Sequence, residues 1–298
     1  MKKERSRKRT IFLILSVLFA VIAVVGIVYL ISYQVKLQKQ QEEYEALQQA
    51  MTETQTPAAG EPDETSGDDN AEPVPEITDP ADIIEEPDDL SPYQVPEKSI
   101  DFDALKAENE DIYAWITIPD TNIDYPVLQH PTELDYYLSH NLDGSGGYPG
   151  CIYSQFINEM DFSDFNTVLY GHNMGSGTMF ANLHYYEDSE FFDTHPYVYI
   201  YTEDGTLVYQ VFAAYAFSDV HLLMGFDLSK EEIREIYLNN IFSLEGINDN
   251  INRDVEVTTD SKLLTLSTCI RNQAGKRYIV AAVLVADGRE RQPENADH

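Results

Sequence analysis

Two kinds of apolar pattern run along this chain of 298 residues. The first is continuous: Ile11 to Ser32 is a run of 22 residues without a charge. As a helix rising ~1.5 Å per residue it spans about 30 Å, the thickness of a bilayer's hydrocarbon core. The basic cluster Lys2, Lys3, Arg5, Arg7, Lys8 and Arg9 stands directly before it. Positive charge on that flank marks the cytoplasmic side of a membrane. The apolar region of a cleaved signal peptide is shorter, about 7–15 residues, and Ala20 with Ala23 makes a poor cleavage site. The pattern predicts a cytoplasmic tail over 1–10, an uncleaved single-pass anchor in the cell membrane over 11–32, and the remainder outside the cell.

The second pattern is a series of short runs rich in Val, Ile, Tyr and Thr, the composition of strands. They are Tyr113–Ile118, Tyr125–Leu128, Gly150–Ser154, Thr167–Tyr170, Tyr197–Thr202, Leu207–Ser218, Leu263–Cys269 and Arg277–Val285. Asp143-Gly144, Gly146-Gly147 and Asp204-Gly205 are turn signals between them. Eight strands with few helices predict a mainly β fold, a small closed or nearly closed barrel. Two helices break the pattern. Asp101 to Glu110 is short and amphipathic through Phe102 and Leu105. Ser229 to Glu232 reads as a capping box, and Ile233, Ile236, Tyr237 and Ile241 follow at helical spacing, between the sixth and seventh strands.

Residues 33–98 connect the two patterns. Residues 33–50, rich in Gln, Glu, Lys and Leu, extend the first helix by a few turns. Residues 51–97 hold eight of the fourteen prolines and no Lys or Arg. Such a stretch buries too little apolar surface to offset its ordering entropy and reads as an extended, self-repelling stalk. The folded domain is expected over 99–288, with a tail over 289–298.

Charge narrows the function. The chain carries −33, and residues 99–298 hold 33 acidic and 10 basic side chains, a balance of −23. That surface repels phosphate backbones, so nucleic acid is excluded as a partner. There are two cysteines. Cys151 and Cys269 could form one bridge, which is no disulfide framework. Cys269 ends one strand-like run, Arg277 opens the next, and His172 closes Asn166-Thr-Val-Leu-Tyr-Gly-His172. If the last two runs form a hairpin around the loop Ile270–Lys276, Cys269 and Arg277 are cross-strand partners and share a face. A thiolate is a nucleophile, an imidazole protonates a leaving amine, and a guanidinium holds an oxyanion. Cys269, His172 and Arg277 are therefore the candidate catalytic residues. Cys151 reads as a structural strand residue. His130, His140, His184, His195 and His221 read as surface or turn residues, and Arg271 and Lys276 as solvated loop cations.

Thr265-Leu-Ser-Thr-Cys269 resembles the TLxTC signature of sortases, cysteine transpeptidases of Gram-positive cell surfaces. Ile118-Pro-Asp-Thr-Asn-Ile-Asp-Tyr-Pro-Val127 and Tyr170-Gly-His-Asn-Met174 are similar to segments of class B members, and the helix before the cysteine strand is a class B trait. The resemblance covers roughly residues 100–286. It implies a sortase-like barrel that cleaves an Asn-Pro-x-Thr-x-like signal near the C-terminus of a secreted protein. The protein then passes, through a thioacyl intermediate on Cys269, to an amine of a cell-wall precursor or a pilin lysine. It implies no metal and no organic cofactor, and it places Ser267, Thr268 and Leu138 in the signal groove. There are departures: Arg271 replaces an acid found two positions after the cysteine in some members, Leu134 stands where a relative has Asn, and the loop before Arg277 is short. Two other classes remain open at this stage: a chymotrypsin-like cysteine protease, and a membrane-tethered binding module with an incidental cysteine.

Overall fold

The computed structural model describes residues 2–53 and 88–289, with side chains over 18–49 and 88–289. Most of the expected stalk, and the tail from 290 on, lie outside the described residues. The described chain forms two compact units. The first, up to Leu47, holds most of α1 (Lys2–Glu53), a single helix that runs through the expected anchor and its extension without a break. From Leu18 to Ile31 its large apolar side chains are 53–75% exposed. Ser32 returns its hydroxyl to the Val28 carbonyl at 2.9 Å, so even this polar side chain is satisfied within the helix. Among the described residues one helix is long and apolar enough to cross a membrane.

The second unit is a β-barrel. Its strands are β1 (Ile112–Thr117), β2 (Asp124–Leu128), β3 (Ile152–Ser154), β4 (Asn166–Tyr170), β5 (Tyr197–Thr202), β6 (Gly205–Ser218), β7 (Asn250–Ile251), β8 (Leu263–Cys269) and β9 (Lys276–Asp287). They pair in the order β5-β1-β2-β3-β4-β8-β9-β6-β7, and β5 also pairs with β6. That extra pairing closes eight strands into a ring and leaves the two-residue β7 as an appendage on β6. All eight expected runs are the ring strands, within a few residues at each end. β7 is too short to carry a period.

The helices serve the ring. In α2 (Phe102–Glu108) the Asp101 carboxylate accepts the Ala104 N–H at 2.9 Å, and Phe102 and Leu105 are buried. α3 is Ser189–Thr194 and α4 is Leu222–Gly225. α5 (Glu231–Phe242) lies between β6 and β8 and buries Tyr237, Leu238 and Ile241. These pack in one cluster with Val168 of β4, Phe212 of β6, Leu263 of β8 and Ile279 of β9. This covering explains why β8 is buried at six successive residues instead of alternating. The expected capping box does not form. Ser229 donates its hydroxyl to Asp227 at 2.6 Å, and Lys230, the N-cap residue, makes no side-chain cap bond. Glu231 and Glu232 in the first turn favour the helix start electrostatically instead.

Residues 88–98 belong to the barrel unit and not to a free stalk. Asp88 and Asp287 exchange bonds, from Asp88 N to the Asp287 carbonyl at 3.0 Å and from Asp287 N to the Asp88 carboxylate at 2.8 Å. Tyr201 donates to the Pro96 carbonyl at 2.8 Å, and Lys98 pairs with Asp124 at 2.7 Å. Composition concealed this strap, because its acidic, Pro-containing sequence docks through backbone groups and a few side chains.

Two pairings position the site. β4 and β8 are parallel, from Asn166↔Leu263 to Tyr170↔Ser267. β8 and β9 are antiparallel over seven rungs, from Leu263↔Val283 to Cys269↔Arg277. Beyond β4 the chain passes through Gly171, where a Cβ would lie 2.5 Å from Ile152 Cδ1 and 2.7 Å from Phe180 Cγ. There is no room for a side chain between those two. Gly171→Ala should therefore destabilise the protein by about 1–3 kcal/mol through overpacking. Urea unfolding measures this, and a loss under 0.5 kcal/mol would show that Ile152 and Phe180 yield freely.

Candidate active site

A cleft of about 310 Å³ opens where β4 and β8 end and β9 begins. Its lining includes Leu138, His172, Ser267, Thr268, Cys269 and Arg277, so the structure gathers all six residues singled out from the sequence. Each arrives by a different local device. Cys269 is the first exposed residue of a strand otherwise buried, so the ladder holds its backbone while its thiol meets solvent. Arg277 is its cross-strand partner. His172 stands two residues beyond β4. The parallel ladder carries it along β8 by a bond from Gly171 N to the Ser267 carbonyl at 3.2 Å. Thr268 points away from Cys269's side of the strand and donates its hydroxyl to the Gly171 carbonyl at 2.8 Å, a buried staple between the two chains.

Leu138 contributes more than a side chain. It ends a 3-10 turn, Tyr136–Leu138, and its carbonyl accepts the His172 Nε2–H at 2.7 Å. The Tyr148 ring packs against the imidazole with centroids 4.8 Å apart. Burial lowers the His172 pKa below its ordinary 6.5, and the Leu138 bond opposes that shift. With the Nε2 proton committed to a carbonyl, the neutral ring carries its lone pair on Nδ1. A backbone oxygen thus orients this histidine, in the place a carboxylate takes in a catalytic triad.

The remaining expected residues are placed as follows. Cys151 and Cys269 are both free thiols, so the possible bridge is not made. Cys151 is buried, with its sulfur 3.5 Å from the His140 carbonyl. Arg271 reaches across to the Met174 carbonyl at 2.9 Å and ties the hairpin loop to the loop after β4. Lys276 is exposed. Leu134 is not among the residues lining the cleft, whereas its neighbour Asp135 is. Asp135 accepts bonds from Tyr153 at 3.0 Å and Gln155 at 2.9 Å. Burial, and then the Asp135 charge, push the Tyr153 phenol far above its usual range, so it stays a donor. Sequence patterning gave no sign of Asp135 or of His221, which also lines the cleft. Neither closes a strand, the signal that marked Cys269 and His172. Among the described residues no cluster of His, Cys, Asp or Glu could hold a metal ion. The single barrel also lacks the two-barrel cleft of a chymotrypsin-like protease.

The lowered His172 pKa fixes a sign. Between the folded value and 6.5 the unfolded chain binds the proton that the folded one refuses, so this group's contribution to stability is lost as pH falls below 6.5. A proton NMR titration should find the His172 midpoint below 6.5 and find it raised in Tyr148→Ala, where water reaches the ring. An unchanged midpoint in that variant would mean that Tyr148 does not shield it.

Comparison with known proteins identifies the family. A family model described as the sortase domain matches residues 116–285, more than half of the chain. Sortase B of Listeria monocytogenes is 36% identical over 167 residues, 55% of this chain and 65% of the relative, so the chain spans just under two thirds of that protein. Sortase B of Staphylococcus aureus is 32% identical over 186 residues, 62% of this chain and 74% of the relative. The crystal structure of Clostridium perfringens sortase B superposes with a TM-score of 0.55 at 30% identity, covering 62% of this chain and all of that one. The chain belongs to the sortase family, and within it to class B.

Proposed function

We propose that this protein is a membrane-anchored cysteine transpeptidase acting outside the cell. The observation that carries the proposal is the final rung of the β8–β9 ladder, which sets a solvent-facing thiol opposite a guanidinium in a cleft that also holds a carbonyl-oriented imidazole. The substrate is a secreted protein with an Asn-Pro-x-Thr-x-like signal. Cys269 passes its thiol proton to the free nitrogen of His172 as its sulfur attacks the carbonyl after the threonine, and a C–S bond forms. Arg277 holds the resulting oxyanion, an interaction whose loss typically costs about 10²–10³ in rate. The C–N bond then breaks as His172 passes a proton to the departing amine. An incoming amine attacks the thioacyl carbon, His172 takes its proton, and sulfur leaves. Ser267, Thr268 and Leu138 wall the groove. The acceptor is an amine of a cell-wall precursor, with a pilin lysine as the alternative.

The domain plan follows. Residues 1–10 are cytoplasmic, 11–32 cross the lipid bilayer, and a helical extension and acidic stalk connect the anchor to the catalytic domain. The strap at 88–98 supports starting that domain near 88 in place of 99. The exposed apolar girdle from Leu18 to Ile31 supports the anchor.

Signal peptides incubated with the protein and a series of primary amines test the chemistry. Transfer to an amine is expected, with none in Cys269→Ala and roughly 10–100-fold less in Arg277→Lys, which keeps the charge but loses the planar fork. Release to water alone, with no amine product at any concentration, would make the protein a protease. Full turnover in Arg277→Lys would remove the fork from the oxyanion site.

A further inference from the structure

The Cys269 backbone presents an unusual end to its strand. The Ser267 carbonyl faces β4, where it accepts the Gly171 N–H. By alternation the Cys269 carbonyl faces the same side, two residues on. There β4 has already ended, so no ladder donor stands opposite. Two side chains take the missing place. Asn173 Nδ2 donates to the Cys269 carbonyl at 2.9 Å, and His184 Nε2 meets the same oxygen at 3.0 Å.

His184 is itself firmly held. It lies on a 3-10 helix, Phe180–Glu187, and Glu187 Oε1 is 2.6 Å from its Nδ1. Its ring stacks on Tyr278 of β9 with centroids 4.9 Å apart. Tyr278 pairs with Thr268, so this stack braces the face of the β8–β9 hairpin turned away from the cleft. The ring has three partners: the Glu187 carboxylate and the Cys269 carbonyl are acceptors, and Asn173 Nδ2, 2.9 Å from Nε2, is a donor. With both nitrogens protonated Nε2 bonds the carbonyl itself, and with Nδ1 alone protonated Nε2 accepts from Asn173 and holds that amide against the carbonyl. The carboxylate fixes the ring plane, and the ring in turn fixes the carbonyl.

We infer that His184, braced by Glu187, is a positioning residue for the nucleophile: it acts through the Cys269 carbonyl and touches neither substrate nor sulfur. Clamping that peptide group holds the end of β8 straight past its last ladder rung, and so aims sulfur at the wall shared by His172 and Arg277. If the clamp is released, the strand end can swing, sulfur turns away from the cleft wall that carries His172 and Arg277, and its attack suffers. This inference deepens the transpeptidase proposal for the same cleft and rests on it for the reaction.

Two substitutions separate the clamp from mere packing. His184→Phe keeps a ring for Tyr278 and loses the donor. His184→Gln loses the stack and keeps an amide N–H for the carbonyl. Two rates are read in the full chain: alkylation of Cys269 by iodoacetamide at neutral pH, located by peptide mapping, and kcat and KM for transfer of a signal peptide. In His184→Phe both alkylation and kcat should fall roughly tenfold or more, with KM within about twofold. His184→Gln should recover most of both. The thermal midpoint of each variant shows whether it is folded. If His184→Phe does not fold, the alkylation rate of His184→Gln against His184→Ala decides instead, and equal rates overturn the inference. It is also overturned if the Phe variant alkylates at the wild-type rate or faster, if Gln is worse than Phe, or if kcat falls while alkylation does not. Should the wild-type chain transfer no peptide at all, the transpeptidase proposal fails, and alkylation alone still decides the clamp.

Discussion

The site depends on the register of one hairpin. Seven antiparallel rungs tie β8 to β9, and the last of them sets Cys269 against Arg277. Side chains alternate across a sheet with a period of two, so a slip of one residue would send sulfur and guanidinium to opposite faces. The register is held because both strands are buried: Leu263, Leu264 and Leu266 on one, Ile279, Val280 and Ala281 on the other. A slip would move these out of the spaces shaped for them, including the cluster beneath α5. Packing at one end of the ladder thus fixes chemistry at the other.

The parallel pairing of β4 with β8 adds the third group. It delivers Gly171 beside Ser267, and the buried Thr268 hydroxyl staples the two chains where the ladder runs out. His172 enters the cleft with its Nε2 proton already given to the Leu138 carbonyl. The candidate cleft is therefore organised largely by backbone groups. In an acidic domain this matters, because a carboxylate orienting the histidine would add to a surface already strongly negative. Burial keeps the imidazole mostly neutral at neutral pH, ready to accept a proton before it donates one.

Much of this was legible in the chain itself. Each ring strand announces itself through β-branched and aromatic residues, and the short loop between Cys269 and Arg277 permits little besides a hairpin. What stayed hidden was of three kinds. The β4–β8 pairing joins residues about a hundred positions apart, and no local pattern encodes it. The strap over 88–98 and the failed cap at Ser229 turn on competition for hydrogen bonds: Ser229 had Asp227 within reach, and the strap had exposed backbone at β9. Asp135 and His184 matter through what they touch, and each looks in sequence like any polar surface residue. Arg271 lies in the loop, as its position between the two runs predicts, but its guanidinium is not simply solvated, since it holds the Met174 carbonyl.

The most direct test of the account is to catch the covalent intermediate. The full chain is mixed with a signal peptide, without an added amine, quenched in acid, and examined by intact mass and peptide mapping. The account predicts one added acyl group, ending at the threonine and attached to the sulfur of Cys269. Acylation of any other residue, or peptide cleavage with no adduct trapped at any time point, would contradict it.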